Sequence, residues 1–431
     1  MSDERFIDTA VPAILVGVNL GGSDTGFEAS LRELERLLHT AGGEVFAVLV
    51  QNKDKITGAT YIGSGKLAEL AELCSNNDIH MVVFDCELSP MQIRNIEDAL
   101  GDVRVIDRSM LILDIFALHA SSAAGKLQVE LAQLKYTMPR LLGKGKELSR
   151  LAGGIGTRGP GESQLETDRR HIERRIHMLE DRLRELEENR KTQREKRDRS
   201  GIIKAAIVGY TNAGKSTLLN RLTDAGILAE DQLFATLDPT TRRFELPNGE
   251  EMLLTDTVGF IRNLPHHLVK AFKSTLDEIV YADFLIVVAD SSDPECHSQL
   301  EVVHSVIESL GAADKPVLLI YNKTDLAEGE LMRASSLAEH AETVCISAKS
   351  GDGIKELYKA LERELGRHKR LESFLFGYAD AARMSAFYNC AEIKHTDYTE
   401  NGTLITAVVD AKTRGMFRDY LISREDGDAD L

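Results

Sequence analysis

The chain has 431 residues, of which 43% are hydrophobic, a net charge of −17 and five cysteines. That length exceeds one compact domain of roughly 100–200 residues, and the apolar content excludes a disordered chain. The acid excess argues against coating a nucleic acid with the whole surface, while local basic patches stay open. The cysteines are scattered without C-x-x-C spacing, which argues against a zinc site or a disulfide framework. The first residues carry no apolar signal core, and no run reaches the ~20 apolar residues of a membrane span, so the expected location is the cytoplasm without membrane insertion.

Residues 13–16, 45–50, 81–84 and 103–106 are short apolar runs separated by helical patterns. Phe27, Leu31, Leu34 and Leu38 recur at helical spacing before Gly42-Gly43, and Leu67, Leu70 and Leu73 mark a second helix. Fully apolar strands alternating with helices predict a small parallel sheet covered on both faces. From Leu127 the pattern becomes a heptad stripe: Leu127, Leu131, Leu134, Met138 and Leu141. Pro139 is expected to kink or end that helix. The stripe resumes at Leu165, Ile172, Ile176, Leu179, Leu183 and Leu186. Neither stripe can stay exposed alone, so the two are expected to form an antiparallel hairpin, with Glu166/Arg170, Glu180/Arg184 and Glu187/Lys191 paired on its solvated side. Residues 190–199 are strongly basic, as a connector or a solvated helix face.

A third segment begins with a strand at 205–208, followed by strands at 251–256, 284–290, 316–322 and 343–347 and a last helix near 354–365. This is a second doubly wound α/β unit. After residue 370 the alternating segment 404–409 predicts a small α+β domain, and the acidic residues 424–431 are expected to fray. The expected division is an N-terminal α/β domain (1–123), a helical hairpin with a glycine-rich tip (124–200), a nucleotide-binding domain (201–367) and a small C-terminal domain (368–431). The chain is expected to be monomeric.

Gly209-Tyr210-Thr211-Asn212-Ala213-Gly214-Lys215-Ser216 meets every position of the G-x-x-x-x-G-K-[ST] phosphate loop, between a predicted strand and a predicted helix. Its backbone N–H groups would cradle phosphate, Lys215 would bridge the β- and γ-phosphates, and the Ser216 hydroxyl would bind magnesium. Asp256-Thr257-Val258-Gly259 closes an apolar strand where such enzymes place the aspartate that holds magnesium, often through water, and Gly259 can offer its N–H to the γ-phosphate. Asn322-Lys323-Thr324-Asp325 ends another strand. Asp325 can accept from guanine N1–H and the exocyclic amine, a donor pair that adenine lacks. Without that tetrapeptide the same fold would read as an ATPase. Ser347-Ala348-Lys349 would back the base through a main-chain N–H. Phe234-Ala235-Thr236-Leu237-Asp238-Pro239-Thr240 reads as the loop that senses the γ-phosphate, with Thr236 as a second magnesium hydroxyl and Thr240 and Thr241 as competitors. The expected ligands are therefore GTP and Mg2+, and the expected catalytic groups Lys215, Ser216, Thr236 and Gly259.

This loop, followed by Phe234 to Pro239 and Asp256-Thr257-Val258-Gly259-Phe260, resembles the Obg–HflX group of translation GTPases. Residues 153–162 (GGIGTRGPGE), Gln164-Leu165-Glu166-Thr167-Asp168, Val105-Ile106-Asp107-Arg108 and Leu127-Gln128-Val129-Glu130-Leu131 narrow the resemblance to the HflX type, over roughly residues 10–365. The resemblance implies a GTPase that binds the large ribosomal subunit and its RNA and splits stalled ribosomes, notably under stress. The alternatives are a GTPase of large-subunit assembly, a scaffold stabilised by GTP, and an RNA-remodelling ATPase using the N-terminal domain.

Phe260 stands where many such GTPases carry a glutamine that orients the attacking water, and a phenyl ring cannot do so. Slow intrinsic turnover, accelerated by ribosomes, is the expectation. At the hairpin tip, Gly156 and Gly159 allow close backbone approach to phosphates and Arg158 supplies charge, so these are the candidate RNA contacts. The alternative there is a plain connector. Tyr61-Ile62-Gly63-Ser64-Gly65-Lys66 lacks the first glycine and the hydroxyl of a phosphate loop and reads as a turn before a helix. The resemblance leaves an adenine nucleotide at the N-terminal domain open. Calorimetry on the folded chain is expected to show binding of GTP in preference to ATP; equal affinities would remove the basis of the guanine reading.

Overall fold

The structure, a computed structural model, describes residues 10–21, 24–151, 160–199, 202–223, 233–234, 238–263, 265, 268, 272–326 and 341–422. The first sheet contains β1 (Val11–Asn19), β2 (Gly43–Asn52), β3 (Met81–Phe84) and β4 (Arg104–Asp107), all parallel, in the order β2-β1-β3-β4. α1 (Asp24–Thr40) and α4 (Arg108–His119) cover one face through Leu34, Leu37, Ile112 and Phe116. α2 (Ser64–Asn77) and α3 (Pro90–Leu100) cover the other through Leu70, Cys74, Ile93 and Ile96. Coverage of both faces fails at the edge: on β2, Phe46 and Val48 are 48% and 49% exposed, with no element packed over them among the described residues.

Local chemistry sets the helix starts. Ser89 and Gln92 form a reciprocal capping box ahead of α3, with Pro90 in its first turn. Asp107, fully buried, caps α4 by accepting from Met110 N at 2.9 Å. Its other oxygen takes Leu88 N at 3.1 Å, Arg140 Nη2 at 3.1 Å and the Tyr136 hydroxyl. One carboxylate thus ties the end of β4 to α3 and to the next helix.

That helix, α5 (Ala123–Leu151), continues through Pro139 rather than ending there. The physical reason lies on either side of the proline: Tyr136 and Arg140 are both moored on Asp107, and the Arg140 guanidinium lies 4.2 Å from the Tyr136 ring centre. These contacts hold the turn in helical geometry despite the missing backbone donor. α6 (Pro160–Arg199) follows. α5 and α6 pack against each other, and eight residues can span at most ~28 Å whereas α5 is ~43 Å long, so α6 runs back antiparallel to it. Val129, Ala132, Ile176 and Leu179 are buried, while Arg175 makes a two-pronged bridge to Glu130 (2.6 and 2.8 Å) and Lys135 reaches Glu180 at 2.7 Å. Glu180, expected to pair with Arg184, is thereby engaged across the hairpin, and Arg184 bonds Asp181.

The second sheet has six strands in the order β10-β9-β8-β5-β7-β6. β5 (Ile203–Gly209), β7 (Glu251–Asp256), β8 (Phe284–Asp290), β9 (Val317–Asn322) and β10 (Glu342–Cys345) are parallel. β6 (Thr240–Glu245) joins antiparallel to β7 and was not anticipated; only Phe244 among its six residues is buried, so it carries little apolar signal. α7 (Lys215–Thr223) and α10 (Ile354–Arg367) pack on one face of this sheet, and α8 (Lys273–Tyr281) and α9 (Cys296–Ser309) on the other. The third sheet is antiparallel, β11 (Arg370–Phe376), β13 (Gly402–Val409) and β12 (Glu392–Thr399) in that order. Phe374, Phe376, Ile405, Phe387 of α11 (Ala381–Tyr388) and Phe417 beyond α12 (Ala411–Met416) form its core. The α+β expectation holds there, with β11, β12 and both helices unforeseen. Among the described residues no helix is long and apolar enough to cross a membrane.

The first two sheets share one core. Phe116 of α4 packs edge-on against Phe234 (4.7 Å) and Phe272 (4.6 Å). Beside them lies Arg108, only 2% exposed, paired with Glu33 of α1 and with Asp85 (2.6 Å), and donating to the Arg262 carbonyl at 3.2 Å. Glu33 also accepts the Tyr210 hydroxyl. Replacing Arg108 by Ala strands two buried carboxylates. The expected loss is about 3–5 kcal/mol of stability, read as a lower urea midpoint; an unchanged midpoint would show the network to be dispensable.

Candidate nucleotide-binding site

β5 ends at Gly209, where a Cβ would run into the Val288 carbonyl of β8, so only glycine permits the turn. The chain then curls through Asn212 (φ 60°) and Gly214 (φ 92°) into α7. A Cβ at Gly214 would collide with the Asn322 amide of β9. Lys215 folds back to donate to the Tyr210 carbonyl at 2.7 Å and is 7% exposed. Burial lowers its pKa to about 8, against the opposing pull of Asp256 and with a smaller push from Lys323. An ammonium held this dry is poised for anionic oxygens.

The Ser216 hydroxyl donates to Asp256 Oδ2 at 2.6 Å, joining the start of α7 to the end of β7, and Asp256 is fully buried. A hydroxyl and a carboxylate oxygen at the mouth of a phosphate loop are hard ligands, which suits magnesium. The next residues anchor the strand end. Thr257 donates through Oγ1 to Ile207 O at 2.8 Å, and Val258 is buried in the core shared with the first sheet. A Cβ on Gly259 would lie 2.7 Å from Thr211 Cγ2 and 3.0 Å from Lys215 Nζ, so the loop leaves no room for a side chain here. Phe260 is 1% exposed and belongs to the core beneath β5 and β8.

At the base-recognition end, Asn322 is a strut. Its Nδ2 donates to Ala213 O at 2.9 Å and its Oδ1 accepts Ala348 N at 2.9 Å. Lys323, with φ 63°, pairs with Asp290 at 2.8 Å, and Thr324 N donates to Ile346 O at 3.2 Å. Ser347 is fully buried and accepts Ser350 N at 3.1 Å. Asp325 and Lys349 are exposed. The residues predicted from four separate motifs therefore meet at the carboxyl ends of β5, β7 and β9 and at the segment following β10.

Some expected site residues stand elsewhere. Ala235, Thr236 and Leu237 lie outside the described residues, as do Gly156, Arg158 and Gly159. Phe234 is buried against Phe116, and the Asp238 carboxylate is bonded to Ser121 and Ser122 of the neighbouring unit. Tyr210 contributes its carbonyl to Lys215, but its ring points to Glu33, and burial followed by that carboxylate pushes its phenol well above the usual range. It stays a donor. Thr241, a competitor for magnesium, bonds Thr255 across the β6–β7 ladder at 2.9 Å. The turn at Gly63 opens α2, with Lys66 paired to Glu69 at 2.8 Å. Glu33, Arg262, Ser121 and Ser122 were not anticipated around the loop. Arg108 lay within a quoted motif, without a hint of where it points.

Residues 28–117 match a family described as GTP-binding GTPase N-terminal, residues 119–197 one described as GTP-binding GTPase middle region, and residues 204–323 one described as 50S ribosome-binding GTPase. The chain is 48% identical over 411 residues to a GTPase HflX of Caldanaerobacter subterraneus subsp. tengcongensis, covering 95% of this chain and 94% of that one. It is 42% identical over 375 residues to a GTPase HflX of Escherichia coli, with 87% and 88% covered. A crystal structure of a GTP-binding protein from the archaeon Sulfolobus solfataricus in complex with GDP is 26% identical over 82% of this chain and 98% of that one, with a TM-score of 0.45.

Replacing Asn322 by Ala leaves the buried Ala213 carbonyl and Ala348 N–H without their partner. We expect a loss of about 1–3 kcal/mol in nucleotide-free stability by urea denaturation. Unchanged stability would mean that the strut carries no load without nucleotide.

Proposed function

We propose that this chain, which belongs to the HflX family of GTPases, is a GTP-driven switch that grips the large ribosomal subunit and helps to split stalled ribosomes under stress. It hydrolyses GTP, as its family does. The phosphates would lie along the backbone amides from Asn212 to Ser216, with Lys215 against the β- and γ-oxygens and Gly259 N–H on the γ-phosphate. Asp325 would select guanine, with Ala348 and Lys349 behind the base. Ser216, Asp256 and Thr236 would hold magnesium, which neutralises phosphate charge when bound.

The observation that carries the link to the ribosome is the position of Asp238. This residue follows Thr236 by two in the loop expected to sense the γ-phosphate. Its carboxylate accepts Ser121 N (3.1 Å), Ser121 Oγ (3.0 Å), Ser122 N (2.7 Å) and Ser122 Oγ, immediately before α5. Gly125 packs so closely that a Cβ there would lie 2.5 Å from Asp238 Oδ1. A carboxylate at a helix N-terminus satisfies open donors and favours the helix dipole. The Ser122 hydroxyl caps α5 by accepting Gly125 N at 2.9 Å, and Asp238, from the proposed sensing loop, holds that cap residue in place. Drawing Thr236 toward the γ-phosphate would alter that cap, and hydrolysis would restore it, passing nucleotide state to the hairpin whose tip, with Gly156, Arg158 and Gly159, would probe ribosomal RNA.

The test pairs GTP turnover, with and without purified large subunits, with sedimentation of whole ribosomes. Slow turnover that large subunits accelerate, and conversion of whole ribosomes to subunits, are the expected results. Asp238→Ala should retain GTP affinity while its ribosome-stimulated turnover and splitting fall about 5–150-fold, the usual range of a coupling energy. Full splitting by this variant would sever the proposed link.

A further inference from the structure

The side chain of Phe260 is locked in the core, so some other group must place the water that attacks the γ-phosphate. Phe260 does a different job. Its backbone N–H donates to Gly209 O at 3.1 Å and its carbonyl accepts Thr211 N at 2.8 Å, a short ladder that lashes the phosphate loop to the strand end carrying Gly259. This ladder brings Thr211 against Gly259. A Cβ on that glycine would lie 2.8 Å from Thr211 Cα, 2.7 Å from its Cγ2 and 3.0 Å from Lys215 Nζ. Thr211, Gly259 and the Lys215 ammonium thus converge on one spot, where the proposed nucleotide site puts the γ-phosphate.

Thr211 is only 6% exposed, and its Oγ1 is buried with no hydrogen-bond partner among the described residues. A hydroxyl in that condition is destabilising unless something outside the chain completes it. Neighbouring hydroxyls do not behave this way: Thr257 bonds Ile207 and Thr241 bonds Thr255. A valine would fit the same space without the penalty, so the hydroxyl itself calls for a ligand.

We propose that Thr211 is a catalytic residue of the hydrolysis, its hydroxyl accepting from the attacking water and donating to a γ-phosphate oxygen. This rests on the GTP site proposed above. The water oxygen forms a bond to the γ-phosphorus, the bond from that phosphorus to the β–γ bridging oxygen breaks, and GDP leaves with the electron pair. The proton lost by the water ends on the released phosphate, and the Thr211 hydroxyl is unchanged over the cycle. Placement beside Lys215 gives it an orientation that no side chain at position 260 supplies here.

The experiment compares Thr211→Val, which keeps the shape, with Thr211→Ser, which keeps the hydroxyl, in the full-length chain under single-turnover conditions with and without large subunits. GTP and GDP affinities are measured in parallel with fluorescent nucleotides. Thr211→Val should bind GDP like the parent and GTP less than about tenfold more weakly, melt at the same or a higher temperature, and hydrolyse about ten- to a hundredfold more slowly in both conditions, while Thr211→Ser stays near the parent rate. Should Thr211→Val fail to fold, Thr211→Ala takes its place with the same expectation. Unchanged hydrolysis in the hydroxyl-free variant overturns the assignment, as does an equal loss in Thr211→Ser or a loss confined to nucleotide affinity. Failure of the parent chain to bind GTP would instead overturn the nucleotide site itself.

Discussion

A guanidinium with no water around it organises this molecule. Arg108 is sealed among Glu33, Asp85 and the Arg262 carbonyl, contributed by α1, the end of β3 and the segment after β7. Such a charge is tolerated only when its partners are all in place, which makes the arrangement of its neighbours close to all-or-none. Glu33 is shared with Tyr210, whose hydroxyl in turn accepts Arg262 N at 2.7 Å. The second residue of the phosphate loop is therefore a member of the same buried cluster. Docking of the first sheet on the second and the shape of the nucleotide loop are one problem with one solution.

The consequence is that both segments that surround a γ-phosphate have a second attachment. After Gly259 and Phe260, Arg262 reaches Glu295 (2.6 Å) and Ser298 (2.5 Å) of the α9 region while its carbonyl meets Arg108. Ahead of β6, Asp238 holds the start of α5. The candidate nucleotide site thus sits at the junction between the two sheets and the hairpin, and its flanking segments are shared with its neighbours. A packed interface of this kind passes a displacement on to its neighbours where a uniformly soft one would absorb it.

How much of this was legible in the sequence depends on how far each feature reaches along the chain. The phosphate loop, the strand-ending Asp256 and the Asn322–Asp325 tetrapeptide are short and local, and their spacing alone prescribes a backbone path. The parallel strands of both units follow from unbroken apolar runs. β6 escaped notice because a strand with a single buried residue has no apolar pattern. α5 survives Pro139 through tertiary mooring on Asp107, which no local rule can see. Glu33 and Arg108 are separated by 75 positions and Glu33 and Tyr210 by 177, so their union is invisible to periodicity. Asp238 was assigned to the nucleotide because it lies in the sensing loop; its partners, over a hundred positions earlier, carry no motif.

Asn322 bridges two functions that are commonly treated as separate. One end of its amide steadies the turn beneath the phosphates, and the other steadies the segment that backs the base. Selectivity and grip are therefore mechanically one. A change at position 322 would be felt at both ends of the proposed site, through the Ala213 carbonyl and through the Ala348 amide.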